Sequence, residues 1–497
     1  MHGAYQRLVM AGLRARSVPP DIVDKDRCVA DIEQIGVSWA VTRKRRKPML
    51  PRPGVTKDLS RFVVESRWED IPAEARHEAK RALLNFFAVA LAGCRTEPVD
   101  IALRTLGDFS GGRQATVIGR PERIDALNAA FLNAAGANVF DYCDTHLPTV
   151  IHPTAPVAPP LLAMAELKSV SGRELLLAFV LGVEIECRVG LAVSPGHYPK
   201  GWHITSTCGV FGAAAGAAKL LGLGTEQAVW SLGNASTQSA GLCECLGWPA
   251  KSLSVGNAAR NGLLSALLAE RGFSGPQEPI AGAQGFLAAM GEPPNWAALT
   301  DGLGKTWEVA NNSLKPYPSG FVIHPLLDLA LDWRLANPEA TVERVAVRGN
   351  PLLLQRTDRP KISTGREAQV SLQHAVAAAL VLGKAGLEQF TDACVNDPAV
   401  AAMRHRIETA SDTSFSTIAA EMDLWTSDGR KHSVSTKAAR GSVSNPLKDS
   451  EIEQKLRTEA ASWQPDHDIQ ALIDAVWSLD RSDDVSALVA MTVPIPR

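Results

Sequence analysis

The chain has no uninterrupted hydrophobic run long enough to cross a bilayer; its longest apolar stretches, such as 210–223, are broken by glycine and lysine. It also lacks the charged, then apolar, then small-residue pattern of a secretory leader, so the cytoplasm is the expected compartment. Charge of one sign is not in excess: 51 Lys and Arg stand against 53 Asp and Glu, a net charge of −2, and no membrane or nucleic-acid partner is expected. Cysteine clusters are absent. Of eight cysteines only Cys243 and Cys245 are close together, and C-x-C alone lacks the second ligand pair of a structural zinc site, so reduced thiols are expected. Four tyrosines among 497 residues, beside 39 glycines, suit closely packed helices better than a β-sandwich.

What is present fits a globular enzyme-sized protein. A hydrophobic fraction of 45% can build a large core, and 497 residues are too many for one ordinary domain, so two are expected. Residues 1–54 differ from the remainder, with Pro19-Pro20 and the basic run Arg43 to Lys47 followed by Pro48 and Pro51. They are expected to be a disordered leader or translated upstream sequence, with the start at Met49. A nucleic-acid arm is the rival reading. From Val55 the pattern turns helical, with helices expected from Pro72 to Gly93, 125–139, 155–168, 172–191, the second half of 196–223, and 258–271. The turn Lys315 to Gly320 reads as a hinge into a smaller α+β domain, with strands expected at 342–348, 415–422 and 432–436. The helical tail from Glu451 is expected to rejoin the first domain.

Asp141 to Pro153, DYCDTHLPTVIHP, collects Asp141, Asp144, Thr145, His146 and His152 in a proline-bracketed loop between helices. Such loops on rigid flanks carry chemistry, and the imidazoles titrate near neutrality. Helix capping and core hydrogen bonding are the rival account of the same residues, but five such groups in one proline-bracketed loop favour the functional reading. Two further loops hold His197, Lys200 and His203, then Lys251 before a buried helix. The hydroxyls Thr205, Ser206 and Thr207 suit capping or an anion equally, and Lys251 suits a solvated surface or a carboxylate equally.

The runs NAAGANVFDYCDTHLPTVIHPTAPVAP, GWHITSTCGVFGAAAGAAKLLGL and KSLSVGNAARNGLLSALLAERGFSGP, with KPYPSGFVIHP following, resemble the MmgE/PrpD family from about Val55 to the C-terminus. That family includes 2-methylcitrate dehydratase, cis-aconitate decarboxylase and iminodisuccinate epimerase. The resemblance implies a mostly α fold: a large all-α helical domain (55–312 plus 447–497) and a smaller α+β lid domain (313–446). It also implies a homodimer and a reaction on a small polycarboxylate with neither a metal nor an organic cofactor. By resemblance, His152 and His203 are the expected acid/base and carboxylate-binding imidazoles, with Asp141 orienting one of them as the third catalytic residue. Thr145, Lys251, Lys315 and His374 are the expected substrate contacts.

Two positions depart from cis-aconitate decarboxylase. Gly320 stands where that enzyme has a histidine, and Ser371-Leu-Gln-His374 replaces a run ending in tyrosine. Both departures argue against cis-aconitate decarboxylation. The expected activity is therefore a 2-methylcitrate dehydratase-like hydro-lyase, with an iminodisuccinate-like epimerase as the alternative. A non-catalytic member of the family is a third reading. Two of the runs, GWHxTSTxGVFGA and ARNGxLSA, are closer to the epimerase.

Overall fold

A computed structural model describes residues 53–495 except Glu292. The expected leader, apart from Pro53 and Gly54, and its basic run lie outside the described residues. The fold is mostly α, with a smaller α+β portion.

Helices Ala73–Gly93, Ala126–Asn138, Thr154–Ala165, Gly172–Val193, Ile204–Leu220 and Ala250–Glu270 form the main mass. Their boundaries follow local chemistry. Asp125 accepts a hydrogen bond from the backbone N–H of Asn128, and Ser171 with Glu174 forms a reciprocal capping box. Leu84, Phe87, Phe179 and Val180 share one core with Ile452, Leu456 and Ala460 of helix Asp449–Trp463, so the late helix packs into the layer that the first helices build.

The helix carrying Lys251 begins at Ala250, earlier than the expected 258. The Gly256-Asn257 pair reads as a turn in sequence, but Gly256 serves packing. A Cβ there would lie 2.8 Å from the Phe131 carbonyl oxygen, so only glycine lets this helix approach Ala126–Asn138 so closely. Lys251 therefore sits in a first helical turn and is buried.

The α+β portion holds a four-stranded sheet in the order 407–411, 342–349, 420–426, 431–436. The first pair is parallel and the others antiparallel. Val345, Val347, Met422 and Leu424 turn inward against helices His324–Ala336 and Leu372–Leu382, forming a second core. Strand Ile407–Ser411 was not expected from sequence, because only Ile407 of its five residues is buried and no alternation marks it. The strand expected at 415–422 begins instead at Ala420.

Backbone proximity among the central helices sets the spacing of the site. A Cβ on Gly212 would meet the Gly182 carbonyl oxygen at 2.8 Å and Glu186 Cβ at 2.7 Å. Helices Gly172–Val193 and Ile204–Leu220 thus touch through backbone. Gly212→Ala should cost about 1–3 kcal/mol as an overpacked core. Urea denaturation measures it; a change below the assay error would mean that the helices slide apart freely.

Candidate active site

A short strand pair assembles the site. Asp144–His146 pairs antiparallel with Asn312–Leu314, opposing Asp144 to Leu314 and His146 to Asn312. This brings Lys315 back against Asp141, although 174 residues separate them. The loop is fixed from below by side chains. Asp144 Oδ2 accepts from Asn312 Nδ2 (2.6 Å), the Thr154 N–H (3.2 Å) and the Thr154 hydroxyl. His146 contacts Glu308 Oε2 at 3.0 Å and Thr149 Oγ1 at 2.8 Å. Glu184 in turn accepts from the Glu308 N–H at 2.7 Å and from Arg188 at 2.5 Å. Asp144 and His146 are thus structural members of the loop; both are fully buried. The loop carries two non-glycine residues at positive φ, Asp141 (52°) and Val150 (59°). Each such residue stores roughly 1–3 kcal/mol and persists only where neighbours enforce it.

Asp141 is the electrostatic hub. Its Oδ1 lies 2.5 Å from Lys251 Nζ and 3.4 Å from His152 Nε2, and its Oδ2 lies 3.2 Å from Lys315 Nζ. Burial alone would raise its pKa, but the two ammonium groups and His152 hold it well below the usual carboxylate range. Lys315 also donates to the Asp141 carbonyl at 2.8 Å.

The two imidazoles are held in opposite states. His152 Nδ1 lies 2.7 Å from the Asp144 carbonyl oxygen, which can only accept, so Nδ1 carries a hydrogen and Nε2 is the nitrogen that faces Asp141. The second contact of Nδ1, at 3.2 Å, is Thr145 Oγ1. Burial would lower the His152 pKa, and Lys315 acts in the same sense. The Cys143 sulfur and the Asp141 carboxylate outweigh them and push it up to about 9. The Cys143 thiol is lowered in return, against its burial, by His152 and Lys315.

His203 is the opposite case. Its Nδ1 lies 2.6 Å from Ser206 Oγ, which lies 2.6 Å from Ser254 Oγ, which donates to the Lys251 carbonyl at 2.8 Å. A chain of hydroxyls ending on a carbonyl has one polarity when every link is made. Ser254 gives its only hydrogen to Lys251, Ser206 gives its own to Ser254, and His203 Nδ1 must donate to Ser206. Burial first, then the Lys251 and His152 charges, depress the His203 pKa well below its ordinary value. His203 is therefore neutral, with its lone pair on Nε2.

Asp141, Thr145, His152, His203, Lys251 and Lys315 line one cavity of about 310 Å³. Further lining residues, Gly320, Arg356, Arg366 and Gln369, come from the α+β portion. His374, expected here as a substrate contact, is not among the lining residues. It is fully buried, its Nε2 bonds the Gln389 carbonyl at 2.7 Å, and its ring meets Phe390 edge-on. The helix Leu372–Leu382 turns that position into the second core, and the preceding segment supplies Arg366 and Gln369 to the cavity instead. His197 also stays out of the cavity lining, bonded to Thr207 Oγ1 at 2.7 Å and to the Met290 carbonyl at 3.1 Å.

Sequence reasoning missed Cys143, the Ser206–Ser254 chain and Lys455. Cys143 was legible, since it lies inside the DYCDTH run. Lys455 was not: it sits on an amphipathic helix where lysine normally faces water. Its buried Nζ donates to Asn85 Oδ1 (2.8 Å) and to the carbonyls of Tyr142 (2.8 Å) and Lys315 (2.9 Å), and lies 3.4 Å from the Tyr142 ring centre. One ammonium thus ties the Asp141 loop to the Lys315 turn. Among the described residues no three His, Cys, Asp or Glu side chains converge as a metal-ligand set.

Lys455→Met keeps the length and removes every donor, leaving two buried carbonyls unsatisfied. We expect a loss of at least about 2 kcal/mol in denaturant unfolding, together with weakened anion binding. Unchanged stability would mean that those carbonyls find other partners. For His203, ¹⁵N histidine spectra should show a neutral Nδ1–H ring at pH 7 that becomes a tautomer mixture in Ser206→Ala. An imidazolium signature at pH 7 would overturn the assignment.

Two family models cover most of the described chain: the MmgE/PrpD N-terminal domain matches residues 57–299 and the MmgE/PrpD C-terminal domain matches 317–480. The chain is 28% identical over 473 residues to a protein of Aspergillus oryzae described as cis-aconitate decarboxylase-like protein oryM, covering 89% of this chain and 98% of that one. It is 27% identical to the cis-aconitate decarboxylase of Mus musculus, covering 83% of this chain and 88% of that enzyme. A cis-aconitate decarboxylase of Aspergillus terreus is 26% identical, with 88% of this chain and 96% of that one covered. With both family domains matched in order along one chain, this protein belongs to the MmgE/PrpD family.

Proposed function

We propose that the protein is a lyase acting on a small di- or tricarboxylic acid by proton transfer at a carbon next to a carboxylate. The observation that carries this is the pair of imidazoles in one cationic cavity, His203 held neutral and His152 held protonated. Two titratable groups pushed in opposite directions are the signature of separate base and acid roles. The cavity lining supports an anionic substrate: five Lys and Arg side chains stand against one carboxylate, Asp141.

In this reading the substrate's carboxylate lies against Lys251 and Lys315, which stabilise the negative charge that grows as the α C–H bond breaks. His203 Nε2 takes that proton. His152 Nε2 gives its proton to the leaving hydroxyl of a β-hydroxy acid; the C–O bond breaks, water departs and a carbon–carbon double bond forms. His203 ends protonated and His152 neutral, and solvent resets both. Thr145 hydrogen-bonds the substrate, and Asp141 orients His152. Dehydration of a 2-methylcitrate-like acid is the finer form of the proposal, with a homodimer as its assembly.

A second reading, decarboxylation, is favoured by the names of the relatives. In it the same acid, His152, would protonate the carbanion left by departing carbon dioxide. Gly320 and the inward-turned His374 weigh against a shared substrate.

Incubation with 2-methylcitrate, citrate and cis-aconitate in deuterated water, followed by NMR, separates the readings. A new alkene from a hydroxy acid supports dehydration, deuterium replacing a lost carboxylate supports decarboxylation, and exchange with inversion and no alkene points to epimerisation. Turnover unchanged in His152→Ala would sink the assignment of the acid.

The pH dependence has a definite sign. His152 must be protonated to act, so turnover should fall as pH rises through about 9. Removing a negative neighbour lowers that value, so Cys143→Ser and Asp141→Asn should each move the fall to lower pH, by on the order of one unit. Stability follows the same group. Protonated His152 contributes fully below its ordinary value of 6.5, and the contribution is lost as pH rises through about 9. A fall that stays in place in both variants would show that another group sets it.

A further inference from the structure

The cavity changes character with depth. Lys315, Lys251 and His203, 1%, 4% and 2% exposed, form its floor. Leu147, Leu246, Leu352 and Val370 line it too, but each is only half-buried. Pro148, Trp248 and Gln355, close in sequence to the three leucines, are exposed, which places those leucines at the rim.

The four aliphatic side chains come from four segments: the loop 141–153, the loop 241–249, the helix Pro351–Thr357 and the residues after the turn Gly365–Ala368. Among the described residues they belong to none of the hydrophobic cores. A single half-exposed leucine is ordinary on a protein surface. Four from separate segments, facing one cavity, make a continuous demand for an apolar partner. Two of the arginines that line the same cavity already have partners. Arg356 lies over the Tyr198 ring, 4.5 Å from its centre, and Arg366 donates to Gln369 Oε1 at 2.9 Å.

The backbone accepts strain to complete this surface. Val150 is β-branched yet held at φ 59°, a conformation that glycine or asparagine adopts at less cost. Its side chain joins the core around Ile185 and Val189 to the cavity lining, in the same turn as Leu147. The cavity volume of about 310 Å³ falls within the roughly 300–1,000 Å³ of pockets that enclose drug-sized ligands, so a short diacid held at the floor leaves room above it.

We propose that the rim is a subsite for a hydrocarbon chain, and that the substrate is an alkyl-substituted carboxylic acid whose chain, longer than a methyl group, runs from the lysine floor to Leu147, Leu246, Leu352 and Val370. The proposal rests on the carboxylic-acid reading of the floor and adds the substituent that reading leaves open. It assigns the rim to specificity, since none of these side chains offers a proton or a charge.

Calorimetric titration with succinate and its 2-methyl, 2-butyl and 2-hexyl derivatives tests this, because none carries a hydroxyl to eliminate. Affinity should rise about two- to fourfold per added methylene, so the butyl acid should bind about eightfold or more tightly than the methyl acid. Leu352→Gln and Val150→Asn, the second suited to left-handed backbone, should each cut that gain by at least half. Succinate affinity should change less than twofold in both, and melting temperatures confirm that each is folded. If succinate binds and the chain adds nothing, or weakens binding because the rim closes on itself, the subsite falls and the acid reading stands. A gain undiminished in both variants also overturns the subsite. If no acid binds but 1-hexanol does, and both variants weaken it, the rim stands and the acid reading falls. Binding of neither acids nor hexanol overturns both.

Discussion

The structure of the site depends on keeping one carboxylate, Asp141, ionised between two buried ammonium groups and an imidazole in the wall of a cleft. Withdrawing such charges from water is expensive, and the attraction offsets that cost only when the geometry is tight and the remaining donors are satisfied. The surrounding architecture meets that condition. A left-handed backbone turn at Asp141 aims the carboxylate, the strand pair 144–146 with 312–314 delivers Lys315, and a helix start delivers Lys251. Charge placement and backbone path are one constraint here, because displacing any of the three cationic groups would leave a buried charge unmatched.

The same economy explains why the two histidines differ. They share a cavity wall and similar burial, yet one faces a carboxylate and a thiol while the other faces cations and hydroxyls. The neighbours are supplied by different elements: Cys143 and Asp141 by the loop, Ser206 by the helix His203 caps, Ser254 by the helix that begins beside Lys251. Glycine-mediated contact between the helices, as at Gly182 and Gly212, therefore reaches the chemistry through distance alone.

Much of this was legible in the sequence, and what was not has physical causes. The helices 73–93, 126–138, 154–165 and 172–193 were readable from their apolar runs and flanking turn residues, whereas Glu97–Gly107 was not expected. The loop 141–153 stood out because prolines and polar groups concentrate there. Lys251 could not be separated from a solvated lysine, since the carboxylate it is buried against, Asp141, lies 110 residues earlier in the chain. His374 misled because alignment to a family motif carries no information on which face of a helix a residue occupies. Strand Ile407–Ser411 has one buried residue and no alternation, so its pairing with 342–349 is a tertiary fact. Lys455 illustrates the same limit: its role depends on two carbonyls more than a hundred residues away.

That lysine has a consequence for how the molecule comes into being. The Asp141 loop and the Lys315 turn are both complete long before residue 455 is synthesised, yet the ammonium that fastens one to the other arrives only with helix Asp449–Trp463. A nascent chain halted before that helix carries every residue of the cavity wall and none of this fastening. Until the late helix docks, the strand pair 144–146 with 312–314 and the Asp141–Lys315 contact hold the two segments without the third tie that Lys455 adds.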